Sequence, residues 1–239
     1  MQPDGTALGG AAGDALRRVG IFDRARPETR ARLLEAAEAL TLPPGGVLHR
    51  QGERPAALHL LLVGRLVLEA QADDSVAVIE VCDAPATMVT AAVVRDRPYM
   101  STAVALETAE LLALPADVVR GCLAADPDFA LALLDEMADR MRGLVAQVQS
   151  LKLRTGPQRL AHYLLELAGP EAPPGEVLLP YDKRLVAARL GMTAESLSRA
   201  FAALRRYGVT TRGLRVVLAD PARLRDFSKP PAEPSFLRD

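Results

Sequence analysis

The pattern of apolar and polar positions changes character several times along the chain. Glu28 to Leu40 reads ETRARLLEAAEAL, with Leu33, Leu34, Ala37 and Leu40 at helical spacing, which predicts one amphipathic helix. From Leu42 the pattern becomes short apolar runs cut by turn residues: TLPPGGVLHRQGE, then ALHLLLVGRLVLEAQADDSVAVIEV, then STAVALETAELLALP. Pro44 with Gly45, Gly52 with Glu53, and Asp73 with Asp74 punctuate strands of ordinary length, while Gly64 interrupts an otherwise strand-like stretch. Several short strands in succession predict a small antiparallel barrel or sandwich.

Helical periodicity takes over from Asp126. Leu134, Met137, Met141, Leu144, Val148 and Leu151 follow one another at spacings of 3, 4, 3, 4 and 3, with Asp135, Glu136, Asp139, Arg140 and Arg142 between them. An a/d seam of this kind lets two helices pack along their length, so a homodimer is expected in preference to burial against the same domain. Thr155, Gly156 and Pro157 break the helix and form a hinge, because Pro157 restricts the residue before it and suits a first helical turn. Beyond the hinge come a helix over Gln158 to Leu167, the loop AGPEAPPGE, a short strand VLLP, two short helical segments separated by Gly191, and VTTRGLRVVLAD, read as a hairpin turning at Gly213. The tail SKPPAEPSFLRD is expected to be disordered.

Tyr181 to Val209 reads YDKRLVAARLGMTAESLSRAFAALRRYGV. Leu185, Val186 and Leu190 form one apolar stripe, Gly191 permits a tight turn, Thr193 caps the next helix, and Leu197, Phe201 and Leu204 form its buried stripe. This is a helix-turn-helix, whose second helix presents the N-terminal part of its outer face to a major groove. Glu195, Ser198 and Arg199 fall on that face. Arg donates two hydrogen bonds to guanine, Glu accepts from cytosine, and Ser serves base edges or phosphate. Lys183, Thr193, Arg205 and Arg206, with Arg184 and Arg189, are expected to meet the DNA backbone. A Glu and an Arg four residues apart are more often a solvated pair, and the flanking cations are what favour DNA here.

Charge supports that division of labour. The 239 residues carry a formal charge of −1, but Arg154 to Phe227 holds 12 Lys and Arg against 7 Asp and Glu, and the remainder holds 17 against 23. A basic C-terminal segment on a mildly acidic body suits contact of one part with a polyanion. The chain has no run of apolar residues long enough to span a membrane, and its start, MQPDGTALGGAAGDALRR, lacks the apolar block of a secretory signal; a bacterial-type cytoplasm is expected. Two cysteines, Cys82 and Cys122, cannot supply a four-thiolate iron–sulfur cluster or a closed zinc site, and no metal site is expected. No G-x-S-x-G elbow, P-loop or H-E-x-x-H occurs and the histidines do not cluster with carboxylates, so an enzyme is not expected.

Sensor barrel, long helix, hinge and winged helix-turn-helix, in that order, resemble the Crp/Fnr superfamily of bacterial transcription regulators over about Leu16 to Phe227. The most specific part is KRLVAARLGMTAESLSRAFAALRRYGV, and VLHRQGERPAALHLLLVGRL resembles the first barrel strands. The pattern of Glu195, Ser198 and Arg199 resembles the Fnr side of the family; Crp itself has arginine in place of Ala194 and glycine in place of Ser198. The resemblance implies an α+β protein: a cyclic-nucleotide-binding-like antiparallel β-barrel (jelly roll) over residues 16–125, a dimerisation helix over 126–154, a winged helix-turn-helix over 155–227 and a tail over 228–239. It further implies a homodimer on double-stranded DNA with TTGAT-like half-sites, and leaves open whether RNA polymerase is a partner.

The same resemblance frames the sensor. Cyclic-nucleotide-binding members carry a Gly-Glu pair and then Arg followed by Ser or Thr; here Val89 and Thr90 replace Gly-Glu and Met100 replaces the Arg, so cAMP is not expected. An Fnr-type iron–sulfur cluster is not expected because the N-terminal cysteine group is missing. RDRPYMSTAVAL and QSLKLRTGPQRLAHYLLELAG resemble the Dnr/Nnr-like branch, whose members respond to nitrogen oxides and in some cases bind haem. Haem needs an axial His, Met, Cys or Tyr. His49, His59 and Met100 are the candidate effector ligands, with His162 and Cys82 as further ones. Against this, each histidine reads as readily as structural, and Cys82 and Cys122 as small buried hydrophobes. The alternatives are a haem-dependent nitric oxide or redox sensor and a DNA binder that needs no ligand.

Overall fold

The computed structural model describes residues 19–72, 75–171 and 173–230. Leu16, the Asp73–Asp74 turn and most of the expected disordered tail lie outside them. The chain forms two compact units that divide between Met141 and Arg142, inside the long helix.

The first unit opens with helices α1 (Gly20–Arg24) and α2 (Pro27–Glu35), followed by strands β1 (Glu38–Leu42), β2 (Val47–His49), β3 (Ala57–Val63), β4 (Arg65–Ala72), β5 (Ser75–Asp83) and β6 (Ala86–Met88). Helix α3 (Thr90–Arg95), strands β7 (Thr102–Ala105) and β8 (Ala109–Pro115) and helix α4 (Ala116–Ala125) lead to α5 (Pro127–Leu153). Two four-stranded antiparallel sheets, in the orders β1-β8-β3-β6 and β2-β7-β4-β5, make the expected barrel of jelly-roll type. Strand β3 contributes to cores on both of its faces. Leu58, Leu60 and Leu62 face a core shared with Leu33, Val119, Phe129 and Leu133, whereas Leu61 faces the barrel interior with Leu66, Cys82, Met88 and Leu111.

The helix expected over Glu28–Leu40 ends at Glu35. Beyond it the chain becomes β1, pairing antiparallel with β8 from Glu38 opposite Ala113 to Leu42 opposite Ala109. Leu33, Leu34 and Ala37 pack on the helical side of the unit, but Leu40 and Leu42 pack on the barrel interior. Leu40 therefore satisfies a period of two with Leu42, and its helical spacing from Ala37 is coincidental. Asp126 starts α5. Its carboxylate accepts from the backbone N–H of Asp128 at 3.0 Å, of Phe129 at 3.2 Å and of Arg26 at 2.9 Å.

The second unit contains the C-terminal part of α5, α6 (Gly156–Ala168), β9 (Gly175–Leu178), α7 (Lys183–Arg189), α8 (Ala194–Leu204), a 3-10 turn (Arg205–Tyr207), β10 (Val209–Arg212), β11 (Arg215–Leu218) and α9 (Pro221–Ser228). Thr155 and Gln158 form a reciprocal capping box at the start of α6, so the hinge triplet is also a helix N-terminus. Strand β9 begins two residues before the expected VLLP, and β10 and β11 form the hairpin about Gly213 in a sheet of order β10-β11-β9. Helix α9 goes beyond the sequence expectation. Asp220 caps it, accepting from the N–H of Arg223 at 2.9 Å, and Phe227 stacks on Tyr207 at 4.2 Å.

Candidate nucleic-acid interface

Helix α7 is capped by Asp182, which accepts from the N–H of Leu185 at 2.8 Å. The turn to α8 passes through Gly191 at φ +61°, a left-handed conformation that favours glycine. Thr193 caps α8 through Oγ1, which accepts from the N–H of Ser196 at 3.1 Å. Leu197, Ala200, Phe201 and Leu204 are buried on the inner face of α8. The outer face then follows from helical geometry. The Glu195 and Arg199 side chains are 77% and 66% exposed, and Ser198 is exposed beside them. Arg199 donates to Glu195 and, at 3.1 Å, to Oγ of Ser196.

The expected backbone-contacting residues occupy different situations. Arg205 and Arg206 are exposed at the end of α8, with the Arg206 guanidinium 5.0 Å from the Tyr207 ring centroid. Lys183 is half-buried: its ammonium donates to Thr211 Oγ1 at 3.3 Å and lies 5.1 Å from the Phe201 ring centroid, joining α7 to β10. Thr193 is exposed, but its oxygen serves as the helix cap. Arg184 is exposed, whereas Arg189 is half-buried and donates to the Tyr181 hydroxyl at 2.7 Å. A groove of about 390 Å³ runs between α8 and β10, with Lys183, Ser198, Arg205, Thr210 and Thr211 among its lining. The sequence candidates did not include Arg212 and Arg215, which are exposed on either side of the hairpin turn, or Ser196, which is half-buried on α8. Two arginines flanking Gly213 were the available signal for the first pair; Ser196 had none beyond its distance of three from Arg199.

The six seam residues lie on one helix. Leu134, Met141, Leu144, Val148 and Leu151 are exposed and Met137 is half-buried.

Of the sensor candidates in the first unit, His49 and His59 lie near enough to interact. His49 is buried and stacks on Tyr99 with ring centroids 3.7 Å apart. His59 on β3 lies opposite Ala113 and Met88. Both imidazoles are held neutral, with pKa values lowered to about 4 by burial, and for His49 also by the charge of nearby His59. Met100 is 88% exposed. His162 is on α6, in the other unit, 3.3 Å from Glu166. A cavity of about 550 Å³ between α1, β5, β6 and α5 is lined by Cys82 but by neither His49, His59 nor Met100. Beside it Arg140 donates to the Thr87 carbonyl at 2.5 Å, to Glu80 at 3.2 Å and to Cys82 Sγ at 3.3 Å. Burial, with the charge of Glu80, pushes the Cys82 thiol up to about 12, and burial raises Cys122 as well, which keeps both protonated and suits the buried-hydrophobe reading. Among the described residues, no helix is long and apolar enough to cross a membrane.

A jelly-roll barrel followed in the chain by a long helix and a winged helix-turn-helix is the architecture of a class of transcription regulator. Residues 158–227 match the Crp-like helix-turn-helix domain, and residues 39–126 match the cyclic nucleotide-binding domain. A structure of a candidate cyclic nucleotide binding protein from Ruegeria pomeroyi DSS-3 is 33% identical, covering 91% of this chain and 98% of that one, at a TM-score of 0.60. The CRP-like cAMP-activated global transcriptional regulator of Mycobacterium tuberculosis is 24% identical, over 88% of this chain and 97% of that protein. The structure of DNR from Pseudomonas aeruginosa is 26% identical, covering 93% of this chain and 100% of that one, at a TM-score of 0.50. The chain belongs to the Crp/Fnr family of transcription regulators.

Proposed function

We propose that this regulator acts in the cytoplasm as a homodimer that reads a palindrome of TTGAT-like half-sites, and that cyclic nucleotide does not control it. The observation that carries the DNA reading is the outer face of α8, where Glu195, Ser198 and Arg199 stand exposed over a buried apolar stripe. Lys183, Thr193, Arg205 and Arg206 surround that face as backbone-contacting groups, with Thr193 contributing through the helix terminus it caps. The exposed seam on α5 supports the dimer, which gives the two-fold symmetry a palindrome requires.

The residues where the family holds a cyclic phosphate do not fit that group. Val89 takes φ +46°, a glycine-like backbone that here carries a branched side chain. The Thr90 hydroxyl is buried and donates to Thr87 Oγ1 at 3.4 Å, and Met100 puts an uncharged, exposed side chain where the phosphate needs a cation. The 550 Å³ cavity beside Arg140 is lined by none of the haem candidates His49, His59 and Met100, and no step is assigned to haem. The likeness of RDRPYMSTAVAL to the Dnr/Nnr-like branch, together with the DNR neighbour, supports that branch, with His49, His59 and Met100 as the side chains a sensing test would vary.

Binding of the full-length protein to a labelled TTGAT palindrome, compared with single-base variants by fluorescence anisotropy, tests the reading. Arg199→Ala is expected to lose about 1–3 kcal/mol of discrimination at the guanine, with much weaker change on variant sites. Unchanged discrimination would remove Arg199 from the readout.

A further inference from the structure

Arg199 is not a free side chain on the surface of α8. One terminal nitrogen of its guanidinium donates to the carboxylate of Glu195 and the other to the hydroxyl oxygen of Ser196 at 3.1 Å. Ser196 is itself held: it receives the Thr193 hydroxyl at 3.0 Å, and its own N–H donates to Thr193 Oγ1 at 3.1 Å. The group that caps the helix therefore fixes the group that holds the arginine. Ser196 is half-buried while Glu195 and Arg199 are exposed, so the serine is the better-ordered of the two holds.

Accounting for protons shows what this leaves. A guanidinium has five N–H donors in a planar fork; Glu195 and Ser196 take one from each terminal nitrogen, and three remain. A base edge of guanine needs two. The two holds thus restrain the plane of the fork without exhausting it. They differ in charge: Glu195 opposes the cation, whereas the Ser196 hydroxyl orients it and leaves its charge whole.

We infer that Ser196 is a positioning residue for sequence readout, one that sets the plane of the Arg199 guanidinium before DNA arrives and so sharpens discrimination at the guanine that Arg199 reads. This rests on the reading of Arg199 given above. An exposed arginine without such a hold samples many rotamers and contacts correct and incorrect sites more evenly. Ser196→Ala removes the hydroxyl but keeps the N–H that Thr193 caps, so the start of α8 is retained.

The test uses full-length protein and duplexes with a TTGAT palindrome or with its guanine replaced, and compares Ser196→Ala, Ser196→Thr, Arg199→Ala and the Ser196→Ala/Arg199→Ala double variant. Ser196→Ala is expected to reduce the ratio of affinities for the two duplexes by about 5- to 10-fold, with the thermal midpoint and the affinity for the replaced site close to wild type. Ser196→Thr restores most of the ratio, and Ser196→Ala adds nothing once Arg199 is gone. If Arg199→Ala lowers the ratio but Ser196→Ala does not, or if the two losses add, the positioning role is overturned and the Arg199 reading stands. If Arg199→Ala itself leaves the ratio unchanged, the underlying reading fails and this inference fails with it.

Discussion

His49 is buried and His59 half-buried, and at both positions burial disfavours the imidazolium. Burial is the main cause of both lowered pKa values, about 4; for His49 the charge of His59 adds to it, partly offset by Glu53 and the Ser101 backbone. In the unfolded chain each histidine takes up its proton near pH 6.5, but the folded chain does so only near 4. Between those values the unfolded state binds more protons, so stability falls as the pH drops from about 6.5 toward 4. Asp126 lies outside that window: burial would raise its pKa, but the Thr29 hydroxyl and the N–H groups of Arg26, Phe129 and Asp128 outweigh burial and hold it at about 2. Thermal unfolding followed across pH 7 to 4 is therefore expected to show a falling midpoint in the wild type and a shallower fall in His49→Phe, which keeps the stack on Tyr99. Parallel curves would mean that His49 is not a source of the pH dependence. Little of this was legible in advance. The alternation of Leu58, His59 and Leu60 places His59 on a strand face, but nothing local to His49 announces Tyr99, which arrives from a distant loop.

At the scale of elements, legibility depended on whether a signal was local. Gly64 is a local signal that proved obligatory: at φ +89° it joins β3 to β4, and a Cβ there would lie 2.4 Å from the Thr108 carbonyl oxygen and 2.9 Å from Ala109 Cα. Both obstacles are backbone and cannot swing aside. Gly64→Ala is expected to destabilise the first unit by roughly 2–4 kcal/mol, combining the left-handed conformation with the clash. A midpoint in denaturant within about 0.5 kcal/mol of wild type would show that the strand ends relax more easily than this geometry implies. Helix α8 was readable for the same reason, since its cap at Thr193, the turn before it at Gly191 and its inward stripe all lie within one short segment. The failures were elements whose identity is set from far away. Strand β1 exists because β8 offers it an edge, and the helical spacing of Leu33 to Leu40 contains no trace of that edge. Helix α9 is fixed by Phe227 on Tyr207 and by Arg154, whose Nε donates to the Ser228 carbonyl at 3.0 Å, both partners remote in sequence.

For the whole molecule, the decisive quantity is the apolar surface that a single chain leaves in water. Leu134 is 58% exposed, Met141 67% and Val148 49%, on a helix that carries Asp135, Glu136, Asp139, Arg140 and Arg142 between the first seam positions. Full burial of a Leu, Met or Val side chain contributes about 1.5–3 kcal/mol. Several such residues on each of two helices offset an association cost of about 4–15 kcal/mol, whereas one helix alone gains nothing from its seam. The heptad made this surface visible in the sequence because helical period and exposure coincide along α5. Met141 is the most exposed member and sits in the middle of the run, so in the proposed dimer a charge there would be forced between the two copies. Met141→Glu is expected to sediment as a monomer at concentrations where the wild type and Arg142→Glu, a charge change beside the seam, are dimers. Because a palindrome gains affinity from two recognition helices held about one DNA turn apart, the same variant is expected to lose nearly all preference for a palindrome over a single half-site. A dimeric Met141→Glu protein would place the contact between copies on another surface. A monomer that still prefers the palindrome would instead show that DNA, and not the seam, brings the two chains together.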